Sequence, residues 1–210
     1  MVGVYEKIGL KVGEQKRLGN AQISAFELEN AEYSIANLRY KRDGNGFMTY
    51  KNGKFIRLIV DGTLVMSDTE MERRTNEEFI EKANGSVFIA GLGIGLVLEN
   101  LKEKVKSGIV TDITVIEISQ DVIDLVSPYF KDMPITYICG DVLQHHVKDG
   151  VKYDTIYFDI WPEISTENLD EITFLHNRFK MKKNRNNRNA WMGSWVSDFL
   201  RKRRIKENKY

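Results

Sequence analysis

The stretch VFIAGLGIGLVL, Val87 to Leu98, decides the fold. An apolar run ending at Ala90 breaks into Gly91-Leu92-Gly93-Ile94-Gly95 and resumes as Leu96-Val97-Leu98. A buried strand, a tight turn and a helix account for that order. The first glycine permits the turn, the second lets backbone approach a ligand, and the third lets the helix pack near its strand. The amide-rich start of the helix favours polar or anionic groups. Three glycines also suit a helix that only packs on a sheet, so the surrounding residues decide between the two.

Those surroundings are acidic residues at the ends of apolar runs. Ile113 to Ile118 (ITVIEI) reads as a second buried strand, and its Glu117 falls where nucleotide folds place the acceptor for the ribose hydroxyls. A third run, Ile135 to Cys139, is followed by Gly140-Asp141, and a fourth, Thr155 to Phe158, by Asp159. Open α/β sheets bind ligands at the carboxyl ends of their strands. The glycine turn, Glu117, Asp141 and Asp159 are therefore expected around one crevice.

A dinucleotide fingerprint requires its third glycine at position 96, where this chain has Leu96. Bulk there spoils a pyrophosphate loop. It suits S-adenosylmethionine, which has no phosphate and needs only backbone approach to its methionine end. S-adenosylmethionine is thus the expected cofactor, ahead of NAD.

VFIAGLGIG, VIEIS, CGDVL and YDTIYFDIWP, in this order, resemble the four motifs of class I S-adenosylmethionine-dependent methyltransferases. The upstream segment RLIVDGTLVMSDTEMERRTNEEFI is similar to the β-hairpin and helix of the spermidine synthase-like branch of that superfamily. The resemblance covers about residues 50 to 180. It implies that Gly91, Gly93 and Gly95 line the methionine moiety, that Glu117 holds the ribose, and that Asp141 with Val142 borders the adenine. Leu92 and Ile118 complete the cofactor-binding set. Asp159, which also borders the cofactor, is the expected catalytic residue, and with Ile160, Trp161 and Pro162 it faces the acceptor.

Two departures separate the chain from aminopropyltransferases. They usually carry an Asp in a GGGDGG loop, where this chain has Ile94, and DSTDP after the fourth strand, where it reads Asp159-Ile160-Trp161-Pro162-Glu163. Much of the charge a polyamine needs is gone. Methyl transfer to an unknown acceptor is the expected function, with aminopropyl transfer as the alternative and a non-catalytic cofactor- or nucleic-acid-binding module as the second.

The expected fold class is α/β: a Rossmann-like methyltransferase sheet, shortened on its C-terminal side, with a small N-terminal β subdomain. Residues 1–66 form that subdomain, with strands at Ala21–Glu27, Tyr33–Tyr40, Phe47–Tyr50 and Phe55–Val60 and hairpin turns at residues 43–46, Asn52-Gly53 and Asp61-Gly62. Residues 67–180 form the cofactor-binding domain. It opens with a helix over Asp68–Ala83, capped by Asp68 or Thr69, and ends with one over Glu167–Lys180. Residues 181–210 form a basic extension, in which Trp191, Met192, Trp195, Val196, Phe199 and Leu200 recur at helical spacing. That pattern predicts an amphipathic helix capping the sheet edge.

The composition, 42% hydrophobic and 29% charged, is that of a folded domain. The net charge of +1 hides an asymmetry, because the end from Arg178 through Arg201 to Lys209 is strongly basic. Phosphate or nucleic-acid contact through Arg201–Arg204 is therefore open. The N-terminus has no signal-peptide layout and no apolar run is long enough to span a bilayer, so a cytoplasmic protein without membrane contact is expected. Oligomerisation is left open. Cys139, the single cysteine, sits in a strand pattern and is expected to be buried. His145 and His146 lack companions at ligand spacing, so they are read as solvated and no metal site is expected. Glu70, Glu72 and Glu77 read as a solvated helix face, and His176 at most as a proton acceptor near Asp159.

Overall fold

The computed structural model describes residues 1–207, with Phe47 by its backbone alone. Lys209 of the basic end lies outside the described residues. The chain forms two compact units.

The first unit comprises Met1–Glu78, Gly93–Asn100 and Gln120–Lys131. After a single turn α1 (Tyr5–Ile8), strands β1 (Gln15–Leu18) and β2 (Ala21–Leu28) lead to helix α2 (Ile35–Arg42), followed by β3 (Gly53–Val60) and β4 (Thr63–Ser67). The strands form an antiparallel sheet in the order β1-β2-β3-β4. The small N-terminal β subdomain is present, and it buries Ala21, Ile23, Phe55, Ile56 and Leu58. Asp61-Gly62 closes the β3–β4 hairpin with φ of 49° and 76°, the type I′ geometry that Asp-Gly accommodates.

Two segments here differ from expectation. Tyr33–Tyr40 is not a strand: it spans the end of a 3-10 turn and most of α2, whose first free amides are capped when the Ser34 hydroxyl accepts the Asn37 N–H. Phe47–Tyr50 begins in another 3-10 turn (Gly46–Met48). The helix expected over Asp68–Ala83 is two short ones, α3 (Glu70–Thr75) and α4 (Glu77–Lys82), interrupted at Asn76. Neither candidate cap serves α3. Thr69 makes no capping bond, and the buried Asp68 carboxylate accepts the N–H groups of Val4, Tyr5 and Ile56 instead. Glu72 is buried rather than solvated, and Glu70 pairs with Arg73 and Lys51.

The second unit comprises Phe79–Leu92, Leu101–Ser119 and the chain from Asp132 on. It holds β5 (Gly85–Ala90), β6 (Val110–Glu117), β7 (Ile135–Cys139), β8 (Thr155–Phe158), α7 (Asn168–Phe179), β9 (Trp191–Ser194) and α8 (Ser197–Glu207); α5 (Leu96–Lys106) follows the glycine turn and α6 (Gln120–Val126) follows β6. The five strands are all parallel, in the order β7-β6-β5-β8-β9. Strand order reverses at β5, which makes the fold a Rossmann-like α/β sheet and its carboxyl edge a topological switch point. Phe88, Phe158, Ile172, Leu175 and Phe179 fill the layer between sheet and α7.

The C-terminal end corrects the reading of its tryptophans. Trp191–Ser194 extends the sheet beside β8, and Trp191 packs its ring near Tyr157 and Phe79. The helix begins only at Ser197, after Val196 turns the chain with φ of 45°. Cys139 is exposed, because β7 is an edge strand. Among the described residues no helix is long and apolar enough to cross a membrane.

Candidate functional site

Parallel register brings the predicted residues to one edge. Ala90 lies opposite Ile116 and Phe158, and Glu117 opposite Cys139. The ladder continues one step past the strands: Gly91 N–H donates to Ile116 O at 2.9 Å, Asp159 N–H to Ala90 O at 2.8 Å, and Gly140 N–H to Glu117 O at 2.9 Å. Gly91 and Asp159 therefore leave the sheet at one level, with Gly140 one residue further along.

Gly91 has φ of 94°, and a Cβ there would collide with the Asp159 carbonyl oxygen. The glycine turn and the loop after β8 are thus backbone to backbone. The turn passes from the second unit to the first between Leu92 and Gly93. Within the first unit, Gly93 lies under the Met66 sulfur, to which Ile94 N–H donates at 3.3 Å, and Gly95 lies against the Phe130 ring.

The Glu117 carboxylate is held at both oxygens. Oε2 accepts the Leu92 N–H at 2.9 Å and Oε1 accepts the Ser119 N–H at 3.0 Å. A carboxylate has about four acceptor positions, so each oxygen keeps one for a ligand. Ile118, next along, is 72% exposed.

Asp141 caps its own turn: its carboxylate accepts the Leu143 N–H at 2.8 Å and the Gln144 amide at 3.1 Å. Val142 is buried in the core, which leaves its backbone as the part that can meet a ligand. Asp159 keeps part of its surface open while its carboxyl lies deep among protein atoms, and this burial raises it to about 7. Trp161 is core, packed with Leu169 and Ile172, and its Nε1 donates to Glu171 at 2.8 Å. Pro162 is exposed beside it.

Sequence reading missed a polar pair under α7, His176 and Ser194, whose Nε2 and Oγ lie 2.8 Å apart. Ser194 follows Gly193 in a strand read as helix, which hid the pairing. Burial and the nearby Arg201 lower the His176 pKa. His146 is exposed, whereas His145 is partly buried with its ring 6.4 Å from that of Phe88, and burial and Arg178 lower its pKa. Among the described residues no group of three or more His, Cys, Asp or Glu side chains is placed to hold a metal ion.

No protein-family model matches the sequence, and no curated protein is similar to it. Similar solved structures include an S-adenosylmethionine-dependent methyltransferase from Clostridium acetobutylicum ATCC 824, at 19% identity and a TM-score of 0.36 over 50% of this chain and 40% of that one. The N-methyltransferase NodS from Bradyrhizobium japonicum WM9 is similar at 16% identity and 0.42, over 54% of this chain and 62% of that one. The methyltransferase CcbJ from Streptomyces caelestis is similar at 13% identity and 0.42, over 54% and 45%. The chain thus matches between 40% and 62% of the length of these structures.

Proposed function

We infer that this chain binds S-adenosylmethionine at the carboxyl edge of its parallel sheet and transfers the methyl group to an acceptor. The observation that carries the reading is the Glu117 carboxylate, fixed by the Leu92 and Ser119 amides with acceptor capacity to spare beside the exposed Ile118. A fixed carboxylate of this kind suits the two ribose hydroxyls, and Ile118 offers an apolar face to the adenine. Gly91 and Leu92 present backbone to the methionine end. Asp141 and Val142 border the adenine through the turn that Asp141 caps.

A bound sulfonium supplies an already activated methyl group. The chain's own work is then alignment and electrostatics. Asp159, poised near neutral pH, holds the nucleophile of the acceptor and accepts its proton when ionised. Pro162 and Ile160 face the acceptor, and Trp161 fixes that loop from the core through Glu171.

The β3–β4 hairpin upstream of the glycine turn supports placement in the spermidine synthase-like branch, while Ile94 and the missing acids after Asp159 favour methyl over aminopropyl transfer. A nucleic-acid contact through α8 would rest on Lys202 and Lys206, because Arg201, Arg203 and Arg204 pair with Asp198, Glu207 and Asp170. The test is calorimetric titration with S-adenosylmethionine and S-adenosylhomocysteine. Binding of both, weakened by Glu117→Ala, is expected; binding of neither rejects the reading.

A further inference from the structure

The loop between α7 and β9 repeats a short unit, Asn184-Arg185-Asn186 followed by Asn187-Arg188-Asn189. In each unit the first asparagine is anchored and the arginine is exposed. Asp154, the residue before β8, accepts the side-chain amides of Asn184 at 2.7 Å and Asn187 at 2.8 Å on one oxygen and the Ser86 N–H at 3.0 Å on the other. Asn184 and Asn187 in turn accept the N–H two residues on, from Asn186 at 3.1 Å and Asn189 at 2.9 Å. One carboxylate thus fixes both turns through neutral donors, and the two arginines are displayed on a held backbone.

Cations gather around this loop without counter-charges. Lys152 Nζ donates to the Met181 carbonyl and Arg185 Nη2 to the Met181 sulfur at 3.2 Å, so two like charges sit against one residue that is itself 52% exposed. Lys183 bridges by backbone to Tyr153, the neighbour of Lys152. Lys152, Lys180, Lys183, Arg185 and Arg188 form no ion pair among the described residues, and the nearby Asp149 goes to Lys182 at 3.5 Å. Uncompensated cations held together repel one another, and an anion laid across them removes that cost. The loops that carry them precede β8 and β9, so they lie at the amino edge of the parallel sheet, the end opposite Gly91 and Glu117.

Cations spread over an exposed edge suit an extended polyanion rather than one small anion. Arginine, lysine and asparagine side chains are those that contact nucleic-acid phosphates, and neither loop exposes an aromatic ring on which a base could stack. A membrane surface calls for an apolar face beside the cations, and of their apolar residues these loops expose only Met181 and Val151. We propose that this pair of amino-edge loops, with Arg185 and Arg188 at its centre, docks the phosphodiester backbone of a nucleic acid without reading its sequence. The inference rests on neither the cofactor nor methyl transfer.

The experiment is fluorescence anisotropy of a labelled single-stranded RNA and a duplex DNA of equal length, titrated with the full chain at about 50 to 200 mM salt. The proteins are wild type, the double variant Arg185→Gln with Arg188→Gln, and the α8 double variant Lys202→Gln with Lys206→Gln. Circular dichroism confirms that each folds, as expected for exposed positions. Wild type is expected to bind, to lose about tenfold or more in affinity across that salt range, and to bind a scrambled sequence equally well. The arginine variant is expected to weaken binding about tenfold or more and to lower the salt slope by about 2, while the α8 variant stays within about twofold of wild type. A preference for one probe identifies the strand form that docks and supports the proposal. No binding to either probe, an arginine variant equal to wild type, a larger loss in the α8 variant, or tighter binding to phosphatidylserine-containing vesicles than to either probe overturns it.

Discussion

The carboxylate of Glu117 accepts the backbone N–H of Leu92 at 2.9 Å, tying the end of one parallel strand to the glycine turn that follows its neighbour. Because the other oxygen accepts the Ser119 N–H, the side chain has one orientation before any ligand arrives. Pre-orientation lowers the entropy a ligand contact must overcome.

Replacing this carboxylate removes two bonds to backbone donors. Glu117→Ala is expected to lower unfolding free energy by about 1–3 kcal/mol and to weaken S-adenosylmethionine binding about tenfold or more. Glu117→Gln keeps one acceptor and is expected to fall between. Denaturant unfolding together with calorimetry separates the two effects, and unchanged affinity in Glu117→Ala would remove Glu117 from the cofactor site.

Gly91→Ala is expected to be more damaging than an alanine elsewhere in the turn. Its φ of 94° strains any side chain, and the new Cβ meets backbone, the Asp159 carbonyl, which cannot rotate away. A loss of at least about 2 kcal/mol is expected, measured by chemical unfolding.

Two partly buried groups make opposite contributions to the pH dependence of stability. Asp159, raised to about 7, favours the folded state most strongly below its usual carboxylate value near 4. That contribution is lost as pH rises toward 7. Asp159→Asn is therefore expected to stabilise the protein relative to wild type at pH 8, by at most about 4 kcal/mol, with the advantage gone near pH 4. His176, lowered by burial, contributes stability above its usual value near 6.5 that is lost as pH falls through its folded value. His176→Gln is expected to flatten the acid limb. Unfolding curves from pH 4 to 8 on both variants check the signs, and an Asp159→Asn advantage that grows toward acid would contradict the first.

Asp68→Ala is expected to cost about 3–5 kcal/mol, because it strands the amides of Val4, Tyr5 and Ile56 in a buried place. Asp68→Asn keeps an acceptor and is expected to lose less. Thermal unfolding that ranks them the other way would show that those amides find other partners.

The central sheet was legible because buried parallel strands read as short apolar runs, and each ends at a residue whose chemistry differs sharply, Gly91, Glu117, Gly140 or Asp159. Helix α2 was misread because apolar alternation from Tyr33 to Tyr40 assumes that apolar residues face inward, and here a hydrogen-bonded Asn37 does. β9 escaped notice because four residues are too few to show a period, and the Val196 turn joins them to α8 with apolar spacing that imitates a helix. Trp161 is expected at the acceptor, and its place in the core cluster with Leu169 and its bond to Glu171 come from packing that its own run does not carry. Cys139 lies on an edge strand, a property of strand order that its own run does not carry.

The most direct measurement is parallel calorimetric titration of wild type and Glu117→Ala with S-adenosylmethionine, S-adenosylhomocysteine, decarboxylated S-adenosylmethionine and NAD. The account predicts that wild type binds the first two in preference to the others and that Glu117→Ala loses most of that affinity. Preference for NAD or for the decarboxylated cofactor, or no binding by any of the four, would contradict it.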